Sequence, residues 1–97
     1  MVICLTVKFL GIFQRLAGKK QHELNLHEPS TIKDVITKLL QVFSDDFKAV
    51  LIDAQLNDPR PNALILVGGK EINVLQGLET EIKDSEEIVF LPMVHGG

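Results

Sequence analysis

The chain has 97 residues, 45% of them hydrophobic and 24% charged, with a formal net charge of -3 and a single cysteine. This length fits one domain, the composition is that of an ordinary globular protein, and one cysteine excludes an internal disulfide or an all-cysteine metal site. The negative charge and the scattered basic residues argue against direct nucleic-acid binding, and the absence of a long apolar run or a signal segment predicts a cytoplasmic location without membrane association.

The amino terminus reads as a strand, because apolar residues recur at every second position of "VICLTVKFL". The face predicted to be buried carries Ile3, Leu5, Val7 and Phe9. Cys4 is expected to behave as a small buried hydrophobic residue. Segment 11–20, "GIFQRLAGKK", has glycines near both ends and is predicted to be a loop that leads into a second strand, "QHELNLH".

The clearest element is a helix over "STIKDVITKLLQVF". Its apolar residues recur at spacings of three and four and form one stripe: Ile32, Val35, Ile36, Leu39, Leu40 and Phe43. Thr31 with Asp34 three residues later fits a capping box, and Pro29 ends the preceding strand. This stripe requires a flat apolar surface to pack on.

Segment 44–62 mixes acidic and apolar residues and is predicted to be a short second helix or an irregular stretch. Residues 63–67, "ALILV", read as a buried strand. The following "GGK" predicts a tight turn into a short strand near residues 71–73, because adjacent glycines accept the positive φ of hairpin turns.

A turn-rich connection leads to the last predicted strand, residues 87–94, in which Pro92 marks the point where the chain leaves the ladder. One strong amphipathic helix and several strands predict a two-layer α+β domain, with the helix on one face of a mixed sheet.

The predicted strands at 63–67 and 88–91 have apolar residues at both alternating positions, although one helix covers only one face of a sheet. Part of the other face is therefore predicted to be an exposed apolar patch for a partner, with Leu64, Leu66 and Phe90 as candidate residues. The sequence does not show which residue of each alternating pair faces outward. In the alternative, segment 44–62 covers that face.

No constellation of catalytic side chains is recognisable. The glycine and lysine pairs at 18–19 and 69–70 do not complete a phosphate-binding loop, because Lys20 and Glu71 stand where a serine or threonine is needed. His22 and His27 fall on opposite faces of a strand without further ligands, so no metal site is predicted. The sequence predicts no catalytic residue and no permanently bound cofactor.

The sequence ends with "FLPMVHGG". A terminal carboxylate is ionised at neutral pH and is a poor electrophile until it is activated, most naturally by adenylation with ATP. Gly96 and Gly97 would give a thin tip that enters a narrow channel, because glycine carries no side chain. Pro92 would stiffen the exit from the sheet, and the apolar residues around it would dock on the activating partner.

Four segments together resemble the ubiquitin-like β-grasp sulfur carriers and protein modifiers: "VKFLGIFQRLAG", "STIKDVITKLL", "LVGGKEI" and "DSEEIVFLPMVHGG". That family includes the small subunit of molybdopterin synthase, the thiamine-pathway sulfur carrier, the ubiquitin-related modifier and small archaeal modifiers. The resemblance implies a β-grasp fold with a mixed sheet of four to five strands on one main helix. It also implies a single domain over residues 1–97 with a flexible C-terminal tail over 92–97.

The resemblance further implies that the chain is a substrate of other enzymes and not itself a catalyst. An adenylating enzyme of the ubiquitin-activating type would use ATP to form an acyl adenylate on Gly97, and sulfur transfer would give a thiocarboxylate. The sulfur would pass to transfer RNA, the favoured acceptor, or to a cofactor precursor, or the activated carboxyl would be joined to protein lysines. Residues implied in tail recognition are Pro92, Met93, Val94, His95 and Gly96.

The expected partners are therefore the adenylating enzyme, enzymes that donate or accept sulfur or a synthase large subunit, and lysines of target proteins. Two alternatives remain open. The chain could be the small subunit of molybdopterin synthase, although Met93 and His95 replace a proline and a small residue of that tail pattern, and "HGG" is more similar to the ubiquitin-related modifier. It could also be a β-grasp interaction module with an inert tail.

Overall fold

A computed structural model describes residues 1–93, and this part of the chain forms an α+β domain. Its strands are β1 (Val2–Phe9), β2 (Gln21–His27), β3 (Ser30–Thr31), β4 (Ala63–Val67), β5 (Lys70–Glu71), β6 (Glu81–Ile82) and β7 (Glu87–Pro92). Its helices are α1 (Ile12–Ala17), α2 (Ile32–Val42) and α3 (Asp45–Leu51). No helix within the described range has the length and apolarity needed to cross a membrane.

The main sheet has five strands in the order β2-β1-β7-β4-β5. β7 lies in the middle, parallel to β1 and antiparallel to β4. The remaining pairs, β1 with β2 and β4 with β5, are antiparallel, and β3 and β6 form a separate two-stranded ladder. The predicted mixed sheet is confirmed, and the strand that leads into the C-terminal tail is its central strand.

One face of this sheet and the stripe of α2 form the core. The predicted inward residues of β1 are all buried: Ile3, Leu5, Val7 and Phe9. Four residues of the α2 stripe are buried against them: Ile32, Val35, Ile36 and Leu39. The Thr31 backbone N–H donates to an Asp34 carboxylate oxygen at 2.8 Å, so the predicted capping interaction starts the helix.

Four of the five phenylalanines are buried in this core and the fifth, Phe43, packs against it, and their contacts show where α1 and α3 pack. The Phe47 ring of α3 lies edge-on to the Phe9 ring at 5.6 Å and is 6.0 Å from the Phe13 ring of α1. Both short helices therefore cover the same sheet face as α2. The alternative in which segment 44–62 covers the other face is wrong, because burying Phe47 in the core directs α3 inward.

Segment 11–20 is also not the loop that the sequence suggests. It contains α1, which buries Phe13 and ends at Gly18 in the left-handed conformation with φ +75°. The predicted turn at Gly68 and Gly69 is present, with φ of +55° and +83°. The strand after it is shorter than predicted, because Ile72 turns into the core as the start of a 3-10 turn.

Candidate functional site

The C-terminal tail starts from a fixed position at the end of β7. Pro92, the last residue of the strand, pairs with Ala63 of β4. The Met93 backbone N–H then donates to the Asn62 carbonyl oxygen at 3.0 Å. The first two residues of the predicted tail are thus held against β4, and the origin of the tail is set by the sheet.

Gly11 supports this exit from the side of β1. The Leu10 backbone N–H donates to the Phe90 carbonyl oxygen at 3.0 Å, which brings the end of β1 beside the end of β7. Gly11 follows with φ +58°, and a Cβ atom at this position would lie 2.8 Å from Pro92 Cγ. Only glycine meets both requirements, because a side chain would be strained and would collide with the proline ring.

A basic groove adjoins the exit. This surface cavity of about 560 Å³ is lined by Gly11, Gln14, Arg15, Gly18, Lys19 and Lys20. Gly11 both lines the groove and lies beside the Pro92 ring, so the groove begins where the tail leaves the sheet. The ion pairs found within residues 1–93 are Lys8 with Glu87 and Arg60 with Asp58, which leaves the groove cations without a carboxylate partner in that range.

His22 lies next to the basic groove, where it contacts Lys19. Its Nδ1 atom lies 3.0 Å from Lys19 Nζ, and its ring packs edge-on against Phe43 at 5.2 Å. Burial and, to a lesser extent, the Lys19 charge lower the pKa of His22 from 6.5, although Glu23 opposes the shift. A neutral His22 accepts a hydrogen bond from the Lys19 ammonium, which keeps that cation at the sheet edge.

The sheet face opposite the helices carries a row of apolar side chains. In the register of β4 and β7, Leu64 pairs with Leu91 and Leu66 pairs with Val89. All four are half-buried, and we call them the open-face patch. The ion pair of Lys8 with Glu87 at 2.9 Å borders the patch on the β1 side.

The structure places the predicted patch residues in two different environments. Leu64 and Leu66 lie on the open face, whereas Phe90 is fully buried among the core aromatics. The assignment of Phe90 to an exposed patch is therefore wrong. Phe90 pairs with the inward-facing Ile65 and Phe9, so its side chain shares their face, and the adjacent Val89 occupies the open face instead.

Cys4 also differs from expectation. It lies on the open face of β1 and is exposed, because it alternates with the buried Ile3 and Leu5. Pro92 is half-buried and Met93 is exposed beside the exit. The other residues predicted for tail recognition and modification lie outside the described range: Val94, His95, Gly96 and Gly97.

Two parts of this site do not follow from the sequence prediction. The outward position of Val89 is not predicted, because β7 has apolar residues at both alternating positions and only its register with β4 shows which of them face the helices. The basic groove is not predicted, because the sequence interpretation treats segment 11–20 as a loop. The sequence does contain evidence for helix α1, since Phe13 and Leu16 have helical spacing and Gly18 followed by Lys19 is typical of a helix C-terminus.

A family model described as ubiquitin-related modifier, Urm1, matches residues 4–97, which is nearly the whole chain and includes both terminal glycines. The chain belongs to this family. A putative sulfur carrier protein of Archaeoglobus fulgidus is 32% identical over 71 residues, covering 72% of this chain and 77% of the relative.

Two further relatives span almost the full length. Ubiquitin-related modifier 1 of Mus musculus is 26% identical and covers 98% of this chain and 96% of its own. The solution structure of small archaeal modifier protein 1 from Methanosarcina acetivorans superposes with a TM-score of 0.80 at 30% identity, covering 100% of this chain and 99% of that one. The β-grasp prediction is confirmed, as is the prediction of a ubiquitin-like sulfur carrier or modifier family whose members are not themselves catalysts.

Proposed function

We propose that Gly97 is the working residue of this Urm1-family chain and that its carboxylate is adenylated and then converted to a thiocarboxylate. In the first step a carboxylate oxygen attacks the α-phosphorus of ATP, and pyrophosphate leaves. In the second, a sulfide-level nucleophile from a donor attacks the acyl carbon, and AMP leaves. The observation that carries the proposal is the family match through residue 97, which includes the terminal glycine pair.

The exit geometry supports this proposal because it limits where the activating enzyme can bind. Four residues follow Met93, and when fully extended they reach at most roughly 14 Å. An adenylating site that receives Gly97 must therefore approach the end of β7 closely. The surfaces around that end are the open-face patch and the basic groove, and we infer that the enzyme contacts both.

The two surfaces would contribute differently to the complex. The open-face patch offers apolar side chains that lose water on docking, which favours a long-lived complex. The basic groove offers Arg15, Lys19 and Lys20, whose charges attract an acidic partner and increase the rate of encounter at low salt. Binding through the groove should weaken as ionic strength rises, because salt screens exposed charges.

We favour transfer RNA thiolation as the use of the thiocarboxylate, with attachment of Gly97 to protein lysines as a second use. A relative named as a sulfur carrier supports sulfur transfer in general, and relatives named as modifiers support attachment to proteins. The location proposed for these reactions is the cytoplasm. The alternative role, as the small subunit of a molybdopterin synthase, would instead deliver the sulfur to a molybdopterin precursor, so identifying the acceptor distinguishes the two roles.

The test is intact-protein mass spectrometry after incubation with ATP, a cognate adenylating enzyme and a sulfur donor. The expected result is a mass gain equal to the exchange of one oxygen for sulfur, which disappears when Gly97 is deleted. Supplying unthiolated transfer RNA together with ATP and a transfer RNA-thiolating enzyme, which activates the oxygen to be replaced, should then discharge the sulfur and return the Gly97 carboxylate. If a competent enzyme forms neither adenylate nor thiocarboxylate, the proposal fails and an interaction module with an inert tail becomes the better description.

A further inference from the structure

A second groove lies on the helical side of the domain, away from the open-face patch. It runs between α2 and α3 and is closed by the loop after α3 and by Leu78. Its apolar lining includes Ile36 and Leu40 from α2 and Ile52 just after α3. We call it the interhelical groove.

The size of the interhelical groove suits a side chain better than a small molecule. Its volume is about 200 Å³. Small-ligand pockets generally hold roughly 300 to 1,000 Å³ and enclose most of the ligand. A space of this size accepts one large apolar side chain, which is how a protein partner typically anchors itself in a neighbouring surface.

Two lysines add a charge preference to this apolar groove. Lys33 from the first turn of α2 and Lys48 from α3 both line it and are exposed. Neither belongs to an ion pair within residues 1–93, where the pairs are Lys8 with Glu87 and Arg60 with Asp58. Carboxylates placed beside the groove would thus meet two available ammonium groups.

We propose that the interhelical groove docks a segment of a partner protein in which one large apolar side chain is flanked by acidic residues. The apolar side chain enters between α2 and α3, and the flanking carboxylates pair with Lys33 and Lys48. Because α2 packs on the inner face of the sheet, this partner leaves the open-face patch uncovered. One protein can then occupy the interhelical groove while another contacts the open-face patch.

The probe is a short fluorescein-labelled peptide with one leucine between runs of glutamate, measured by fluorescence anisotropy and by amide chemical shifts of the protein. We expect saturable binding, with the largest shifts at Thr37, Asn57 and Leu78, which line the groove. Replacing the leucine by alanine, or the glutamates by lysines, should remove most of the binding.

The protein variant that tests the charge preference is Lys33→Glu with Lys48→Glu, which should weaken binding at least about tenfold, because like charges would then face each other. Its control is Lys38→Glu with Lys83→Glu, which changes the net charge equally at exposed positions outside the groove lining and should have little effect. Circular dichroism would establish that both variants remain folded.

Three results would overturn the proposal: equal weakening in both variants, shifts centred on the open-face patch or the basic groove, or shifts at the interhelical groove that grow with protein concentration alone and that the peptide does not displace. The last would assign the groove to a second copy of this chain. Deleting Gly96 and Gly97 should stop thiocarboxylation and leave peptide binding unchanged. The two proposals can therefore fail independently.

Discussion

The two faces of the main sheet carry similar apolar side chains but have different surroundings. On the inner face, Ile65 and Phe90 are fully buried beneath the helices. On the outer face, Leu66 and Val89 come from the same two strands but remain half-exposed. Adjacent residues of one strand therefore serve different purposes, since the inner ones hold the fold together and the outer ones remain available to a partner.

Phe90→Ala should show the largest effect on the inner face. Removing a buried phenylalanine side chain leaves a cavity, so the free energy of unfolding should fall by about 3 to 5 kcal/mol. The measurement is urea denaturation. Leu91→Ala is the matched control on the outer face and should cost about 1 kcal/mol, because its side chain is only half-buried. Equal losses for the two variants would contradict the distinction between the faces.

Gly11→Ala, beside the point where the tail leaves the sheet, should have the next largest effect on stability. Positive φ strains alanine, and its Cβ would lie 2.8 Å from Pro92 Cγ, so we expect a loss of about 1 to 3 kcal/mol in unfolding free energy.

Gly18→Ala is the natural control, because Gly18 also has positive φ but no atom lies within 4 Å of the position its Cβ would take. The excess cost at Gly11, measured by thermal unfolding of both variants, isolates the collision with Pro92. If Gly18→Ala is as costly as Gly11→Ala, close packing at the exit is not what requires glycine at position 11.

Leu66→Asp and Val89→Asp should affect binding more than stability. Each places a charge in the open-face patch, and the dissociation constant for the adenylating enzyme should rise at least about tenfold. Stability should fall by only about 1 kcal/mol, because the side chains are half-exposed already. Calorimetric titration and urea denaturation would measure the two effects. A folded variant with unchanged affinity would exclude the patch from the complex.

The sequence was sufficient for the features that depend on local pattern. Alternation placed Ile3 and Phe9 on the buried face of β1, and the three-and-four spacing located α2. The sequence was insufficient where a strand has apolar residues at both alternating positions. Which of them face the core depends on strand pairing, such as that of Phe90 with Ile65, and this pairing is a long-range property of the sheet. The resemblance to a known family predicted the role of Gly97, but no local sequence pattern predicts that Gly11 lies beside Pro92.

The smallest predicted effect concerns His22, on the inner face at the sheet edge. Burial lowers its pKa from 6.5, so the unfolded chain binds more protons than the folded one as pH falls through 6.5. The stability that neutral His22 contributes is therefore fully present above pH 6.5 and declines slightly below it. Thermal unfolding across this range should show the decline, and His22→Gln should reduce it.

Lys19→Met separates the two causes of that shift. Removing the Lys19 charge should raise the pKa of His22 only part of the way, because burial is the larger cause. Titration of the His22 ring protons by NMR measures this directly. Complete recovery to 6.5 would assign the shift to Lys19 alone, and the packing of the ring against Phe43 would then contribute nothing to the titration.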